Sequence, residues 1–169
     1  MKISVFDIET TGLMDNLMRE DGHIHCLMAQ ELDYEDKKIT KGRLVEFYDV
    51  ELEAEGDDWA YLGGLDLIPD YLDSFDILAG HGILSYDFPA LKWCMGYERK
   101  CQVMDSLVIS RKNWPDRPGK HSVDAWAPRL GLRKPVQEIW TDMTTDVRHR
   151  CREDVLIETE ILLTVLEEA

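Results

Sequence analysis

Two carboxylates interrupt the apolar run that begins the chain, MKISVFDIE, at Asp7 and Glu9. The run reads as a buried central strand. Side chains alternate between the faces of a strand, so Asp7 and Glu9 share one face while Phe6 and Ile8 can enter the core on the other. Two acids side by side at a buried strand end repel one another and lose hydration, and a proton or a cation must compensate them. A hard divalent ion with oxygen ligands, Mg²⁺ or Mn²⁺, meets that need. On spacing alone, a frayed strand end with both acids in water stays open as the alternative.

The chain has 169 residues, enough for one domain with a real core and too few for two well-separated ones, so a single domain spanning 1–169 is expected. Runs at 24–33 and 42–50 also read as strands; joined by the polar turn Glu35-Asp36-Lys37-Lys38, they form an antiparallel meander with 2–8. An acidic loop from Glu51 to Asp58 leads to a short helix near 66–74, then a strand at 75–80 ending in Gly80-His81-Gly82. Helices are expected at 87–97, with Pro89 tolerated in the first turn, at 104–111, and at 122–130 up to Gly131. Proline and glycine mark Asn113 to Lys120 as a loop, and a second long loop holds Pro135 and Trp140. The last helix, 147–168, places Val155, Leu156, Thr159, Leu162, Leu163 and Leu166 on one face. Three strands followed by mixed helices and strands specify an α/β domain with a mixed sheet.

A net charge of −15 argues against a protein that coats nucleic acid by electrostatics alone. The charge is unevenly spread: residues 1–91 hold 21 acids and 6 bases, whereas residues 92–152 hold 13 bases and 7 acids. The basic stretch is either a solvated mixed surface or a rim, including Arg111, Lys112, Arg117 and Lys120, that faces a polyanion. Cys26, Cys94, Cys101 and Cys151 are scattered without a CxxC pair and read as reduced thiols. The segment His23-Ile24-His25-Cys26 is rich in ligand atoms but lacks the second cluster of a zinc site. No run approaches the roughly 18 apolar residues of a membrane span, and no signal peptide is evident.

Two further acids stand at element ends: Asp87 opens a helix, and Asp154 lies early in the last one. Such acids are commonly caps, so each alone says little. The strings VFDIETTGL, GHGILSYDFPAL, MDSLVISR, KHSVDAWAPRLG and HRCREDVLIETEIL resemble, in this order, the motifs of the DEDD 3′–5′ exonuclease superfamily. The nearest likeness is to the proofreading exonuclease domain of phage family-A DNA polymerases, and it spans essentially the whole chain, with no polymerase segment after it. The resemblance implies an RNase H-like fold, a mixed β-sheet flanked by α-helices. It also implies that Asp7, Glu9, Asp87 and Asp154 hold two divalent metal ions, Mg²⁺ or Mn²⁺. Asp7 would bridge both, Glu9 and Asp154 would hold the ion that activates water, and Asp87 would act on the shell of the other. Two ions ~3.5–4 Å apart stabilise the attacking and leaving oxygens of phosphodiester hydrolysis.

The superfamily divides at its third motif by a Tyr or a His. Relatives in phage polymerases generally carry the Tyr where this chain has Arg150, while His149, four residues short of adjoining Asp154, fits the His spacing. The expectation is therefore the His subtype, with His149 as general base, since an imidazole titrates near working pH. A surface histidine in the basic run Arg148 to Arg152 is the alternative. Thr10, Thr11, Gly12 and Leu13 follow the first motif, where relatives set backbone amides and an apolar side chain against the 3′-terminal nucleotide; Leu13 suits a core position equally. His81 and Tyr86 flank the second motif as substrate-binding candidates, and Gly82 stands where many relatives have Asn. Asp105 reads as a cap or loop anchor. Trp114, in the Pro/Gly loop among basic residues, is a candidate for stacking on bases, whereas Trp126 fits a core pattern. His121 either caps the next helix or touches phosphate.

The function implied is 3′–5′ exonuclease action on single-stranded or frayed DNA, by a stand-alone proofreading enzyme with a polymerase or replication partner. Its expected location is the cytoplasm of a bacterium or a phage-infected host, without membrane association. An exoribonuclease or oligonucleotidase of the same fold, and a non-catalytic module that holds a 3′ end, are the alternatives. Clustered acids speak against the latter, because without metal they repel phosphate.

Overall fold

Strand β1, Lys2–Thr10, runs inside a six-stranded sheet in the computed structural model, which describes residues 1–19, 21–136 and 141–168. The meander follows as expected: β2 (Ile24–Glu35) pairs antiparallel with β1, and β3 (Lys38–Phe47) antiparallel with β2. Asp36 and Lys37 turn the hairpin with φ of 51° and 63°, the left-handed pair that matches the twist of the flanking strands. Three short strands complete the sheet in parallel pairings. β4 (Trp59–Gly63) lies beside β3, β5 (Ile77–Gly80) beside β1, and β6 (Gln102–Asp105) beside β5, giving the order β4-β3-β2-β1-β5-β6.

Helices cover both faces of the sheet. Phe6, Ile8, Leu27, Ala29, Val45 and Leu78 pack against Ile68 and Leu72 of α2 (Ile68–Asp73) and Ala90 and Leu91 of α3 (Asp87–Met95). Helix α1 is the short turn Met14–Leu17, α4 (Ser106–Asn113) packs beside β6, and α5 (Val123–Arg129) packs on the final helix. The opposite face receives α6, Thr145–Glu167, through Cys26, Met28, Val147, Cys151 and Val155, and through Ile3, Val5, Ala79 and Leu162. Strand parity thus sends Phe6 and Ile8 under α2 and α3, and leaves Asp7 and Glu9 on the α6 face. Among the described residues no helix is long and apolar enough to cross a membrane.

Residues 59–63, to which the sequence assigned no element, form an edge strand, too short and too singly paired to show a period. Two sequence expectations need correction. Residues 102–105 form β6 where the helix was placed from 104; Asp105 is its N-cap and accepts from the Leu107 N–H at 3.0 Å. Helix α6 buries Ile157, Ile161 and Val165 rather than Leu156 and Leu163, because it is covered by α5 as well as by the sheet. Trp140 lies outside the described residues.

The acidic loop and the basic run prove to be partners. Arg152, buried on α6, donates to Glu46 at 2.8 Å and reaches Glu55 and Asp57 at 2.7 and 2.6 Å. Arg148, one turn earlier, donates to Glu55 at 2.7 Å and to the Glu53 carbonyl at 2.9 Å. These pairs strap residues 53–57 over the helix and set its rotation. Removing one member leaves an unpaired charge in the interior, so Arg152→Ala should cost about 3–5 kcal/mol in urea unfolding. Phe6 is fully buried, edge-on to Phe88 at 5.7 Å, and Phe6→Ala should cost a similar ~3–5 kcal/mol with an unchanged m-value.

Candidate active site

Carboxylate oxygens of Asp7, Glu9 and Asp154 lie within 4.8 Å of one another. Two come from adjacent same-face positions of β1, and the third from α6 where it crosses that face. Asp87 approaches from the other side. β5 pairs with β1 only as far as Val5, so the Ile8 N–H is left for a side chain, and it donates to Asp87 Oδ1 at 3.2 Å. This bond, with the first-turn position of Asp87 in α3, fixes the second-motif acid beside the first pair.

A fifth acid was not anticipated. Glu158 sits one turn beyond Asp154, is 4% exposed, and accepts the His81 N–H at 3.2 Å. The signal was available: residues four apart share a helix face, so an acid at 158 accompanies one at 154. Gly80, just before His81, is required by its other neighbours, since a Cβ there would meet Ile83 Cγ2 at 2.3 Å and the Phe6 carbonyl oxygen at 2.8 Å.

Lost water raises the proton affinity of the whole group, and mutual repulsion adds to it at Asp7, Glu9 and Glu158. Burial is the largest cause at each acid, followed at Asp7 by the charges of Glu158, Glu9, Asp87 and Asp154, which together lift it well above the ordinary range. Glu9 is pushed up to about 8 by burial and by Asp154, against the lowering fields of Arg150 and Lys134. Asp87 rises to about 7 although the Ile8 N–H favours its charged form. Asp154 is raised by burial, opposed by Lys134 and Arg150, and Glu158 is raised well above its usual value by burial, Asp87 and Asp154.

Both cations engage a single oxygen. Arg150 Nε donates to Asp154 Oδ2 at 2.9 Å, and Lys134 Nζ lies 3.4 Å from the same atom and 3.4 Å from Asp124. Asp154 Oδ1 is buried without a hydrogen-bond partner. An orphaned carboxylate oxygen among three converging acids, with oxygen as the donor type, fits a hard divalent ion such as Mg²⁺ or Mn²⁺. Among the described residues, His23, His25 and Cys26 form no such group.

The remaining candidates separate into two sets. Glu9, Thr10, Gly12, Leu13 and Tyr86 line, with Ile8 and Asn16, a cavity of about 450 Å³ next to the carboxylates. Gly12 adopts φ 134°, open to glycine, and its carbonyl accepts from Tyr86 and from Thr10. Leu13 is 77% exposed there, which excludes the core alternative. Thr11 instead clasps the start of β2 through His23.

His81 is a strut rather than a substrate contact. One ring nitrogen bonds Ser106 Oγ at 2.8 Å, the other bonds the His121 carbonyl at 2.6 Å, and burial holds its pKa below the usual value. Gly82 takes φ 87° and gives its N–H to Asp105, which also anchors Leu84. Trp114 packs edge-on to Trp126 at 6.3 Å with Arg117 against both rings, so it anchors its loop to the α5 core. His121 bonds Ser110 at 2.7 Å.

His149 requires correction. Its position inside α6, five residues before Asp154, turns it about 140° around the helix from that acid. The side chain is exposed, and Arg150, about 40° from Asp154, takes the inward place. The spacing matched, but continuous helix from Thr145 aims the ring outward.

No protein-family model and no curated protein sequence matches the chain. Solved structures similar in fold include the following two. Exonuclease X in complex with 5′-overhanging duplex DNA aligns over 99% of this chain and 92% of its own, with a TM-score of 0.59 and 19% identity. The fold is RNase H-like. A family B DNA polymerase from the hyperthermophilic archaeon Pyrobaculum calidifontis aligns over 98% of this chain, with a TM-score of 0.61 and 15% identity. The chain spans 24% of that polymerase's length.

The raised carboxylates tie stability to pH and metal. An acid whose pKa is higher folded than unfolded binds more protons in the folded state, so stability falls as pH rises between the two values. For Asp87 these are 3.8 and about 7, and for Glu9 4.5 and about 8. The melting temperature of EDTA-treated protein should therefore decline from about pH 5 to about pH 8, and saturating Mn²⁺ should abolish the decline. Differential scanning fluorimetry across that range checks both.

Proposed function

We propose that this protein is a metal-dependent 3′–5′ exonuclease that shortens DNA from single-stranded or frayed ends. The observation that carries the reading is the convergence of Asp7, Glu9 and Asp154 within 4.8 Å, with Glu9 also lining the adjoining cavity. Two structures of similar fold support it, one an exonuclease bound to DNA and the other a DNA polymerase. Action as a proofreading subunit beside a separate polymerase is part of the proposal.

Asp7, Glu9 and Asp154 would hold one divalent ion, and Asp87 with Asp7 a second. Such ions neutralise the carboxylates and the phosphate, and stabilise the oxygens at which charge develops. The other work falls to the chain. The cavity of about 450 Å³ is in the size range of small-ligand pockets and suits a terminal nucleotide. Leu13 presents an apolar surface to its base, while the Tyr86–Thr10–Gly12 bonds hold the turn in shape. Water attacks phosphorus, the bond from phosphorus to the penultimate O3′ breaks, and that oxygen takes a proton. The products are a nucleoside 5′-monophosphate and a strand with a new 3′-hydroxyl.

A short single-stranded DNA tests activity, metal need and direction together. With Mn²⁺ a 5′ label should give a ladder descending by single nucleotides, and a 3′ label should be released at once as mononucleotide. EDTA should stop both, and Asp7→Ala should slow them by at least about 10²–10³-fold. Robust cleavage by Asp7→Ala would sink the reading, and matched RNA strands measure its preference for DNA.

A further inference from the structure

Arg150 stands inside the carboxylate cluster, on the inward side of α6 one turn before Asp154. Among the described residues, its guanidinium donates to Asp154 Oδ2 through Nε at 2.9 Å and to the Pro135 carbonyl through Nη1. The side chain is 15% exposed, so the charge is held in place with little water around it. Its field reaches Glu9 as well as Asp154. Lys134 also meets Asp154, but divides itself with the exposed Asp124. His149, the proton acceptor expected from sequence, faces solvent instead.

A phosphodiester entering this site meets five buried or partly buried acids: Asp7, Glu9, Asp87, Asp154 and Glu158. Attack by water then adds a further negative charge to the phosphoryl oxygens. A guanidinium cannot act as a base at working pH, but it is permanently charged and its planar fork suits phosphate. Fixed in advance in a poorly hydrated site, such a charge stabilises the transition state without reorganisation.

We propose that Arg150 is a catalytic residue of this protein: its guanidinium contacts the non-bridging oxygens of the scissile phosphate and offsets the charge gained on attack, and His149 does not act as the base. The inference rests on the exonuclease reading above. Arg150 stays protonated throughout; the proton lost by the attacking water reaches the leaving O3′ through solvent. Its tie to Asp154 joins the charge that meets the phosphate to the acid group beside it.

The test compares wild type, Arg150→Ala, Arg150→Lys and His149→Ala on 5′-labelled single-stranded DNA at saturating Mn²⁺. Arg150→Ala should lower kcat about 10²–10³-fold with KM within about threefold, and Arg150→Lys should recover part of the loss. His149→Ala should keep kcat and the pH profile of the wild type. A phosphorothioate at the scissile position should slow the wild type and leave Arg150→Ala less affected, a signature that a packing role does not produce.

Arg150→Ala with wild-type kcat would overturn the proposal. So would a loss in both Arg150 variants accompanied by a lowered melting temperature and an unchanged phosphorothioate effect, which marks a structural role. An inflection in the pH profile that disappears in His149→Ala would return the base to His149 and overturn it too. Wild type without Mn²⁺-dependent cleavage would overturn the exonuclease reading itself, and the two failures are thereby told apart.

Discussion

Asp7, Glu9 and Asp154 bring carboxylate oxygens within 4.8 Å, and Asp87 and Glu158 add their fields at the same end of β1. Loss of water raises the proton affinity of each of these acids, and their mutual repulsion adds to it at Asp7, Glu9 and Glu158. No folded chain collects such charge without support. Here the support is distributed: the Ile8 N–H on Asp87, the His81 N–H on Glu158, and Arg150 with Lys134 on Asp154. A strand that outruns its parallel neighbour belongs to the same arrangement.

Helix α6 carries this burden on one side and anchors the molecule on the other. Asp154 and Glu158 face β1, whereas Arg148 and Arg152 are drawn into Glu46, Glu55 and Asp57. Arg148 and Arg152 are four residues apart, as are Asp154 and Glu158, so helical rotation sends the two pairs into separate environments. The arginine pair also accounts for much of the charge asymmetry along the sequence, since bases from the second half meet acids from the first. Arg111, Lys112 and Lys120 remain exposed and available to a polyanion, while Arg117 is held between Trp114 and Trp126.

Legibility in the sequence followed the range of the forces involved. The meander, the long final helix and the cap at Asp105 were readable because hydrophobic period, turn residues and capping act over a few residues. Edge strand β4 and parallel strand β6 were not, since five- and four-residue elements owe their form to a neighbour far along the chain. Trp114 shows the same limit, as its loop position suggested a free ring and only the packed fold supplied Trp126 and Arg117 beside it. His81 was singled out correctly as a special residue, yet its partners Ser106 and His121 make it a strut.

By itself the sequence determined that Asp7 and Glu9 share a face, because strand alternation is set by local backbone geometry. Which side of α6 meets that face was a tertiary decision. The helix rotates to bury Cys151 and Val155 on the sheet and to pair Arg148 and Arg152 with the acidic loop, and this choice brings Asp154, Glu158 and Arg150 inward. The same rotation carries His149 out to solvent, although its spacing to Asp154 matched the expected pattern. Spacing fixes separation along a helix, while packing and ion pairing fix the direction in which each side chain points.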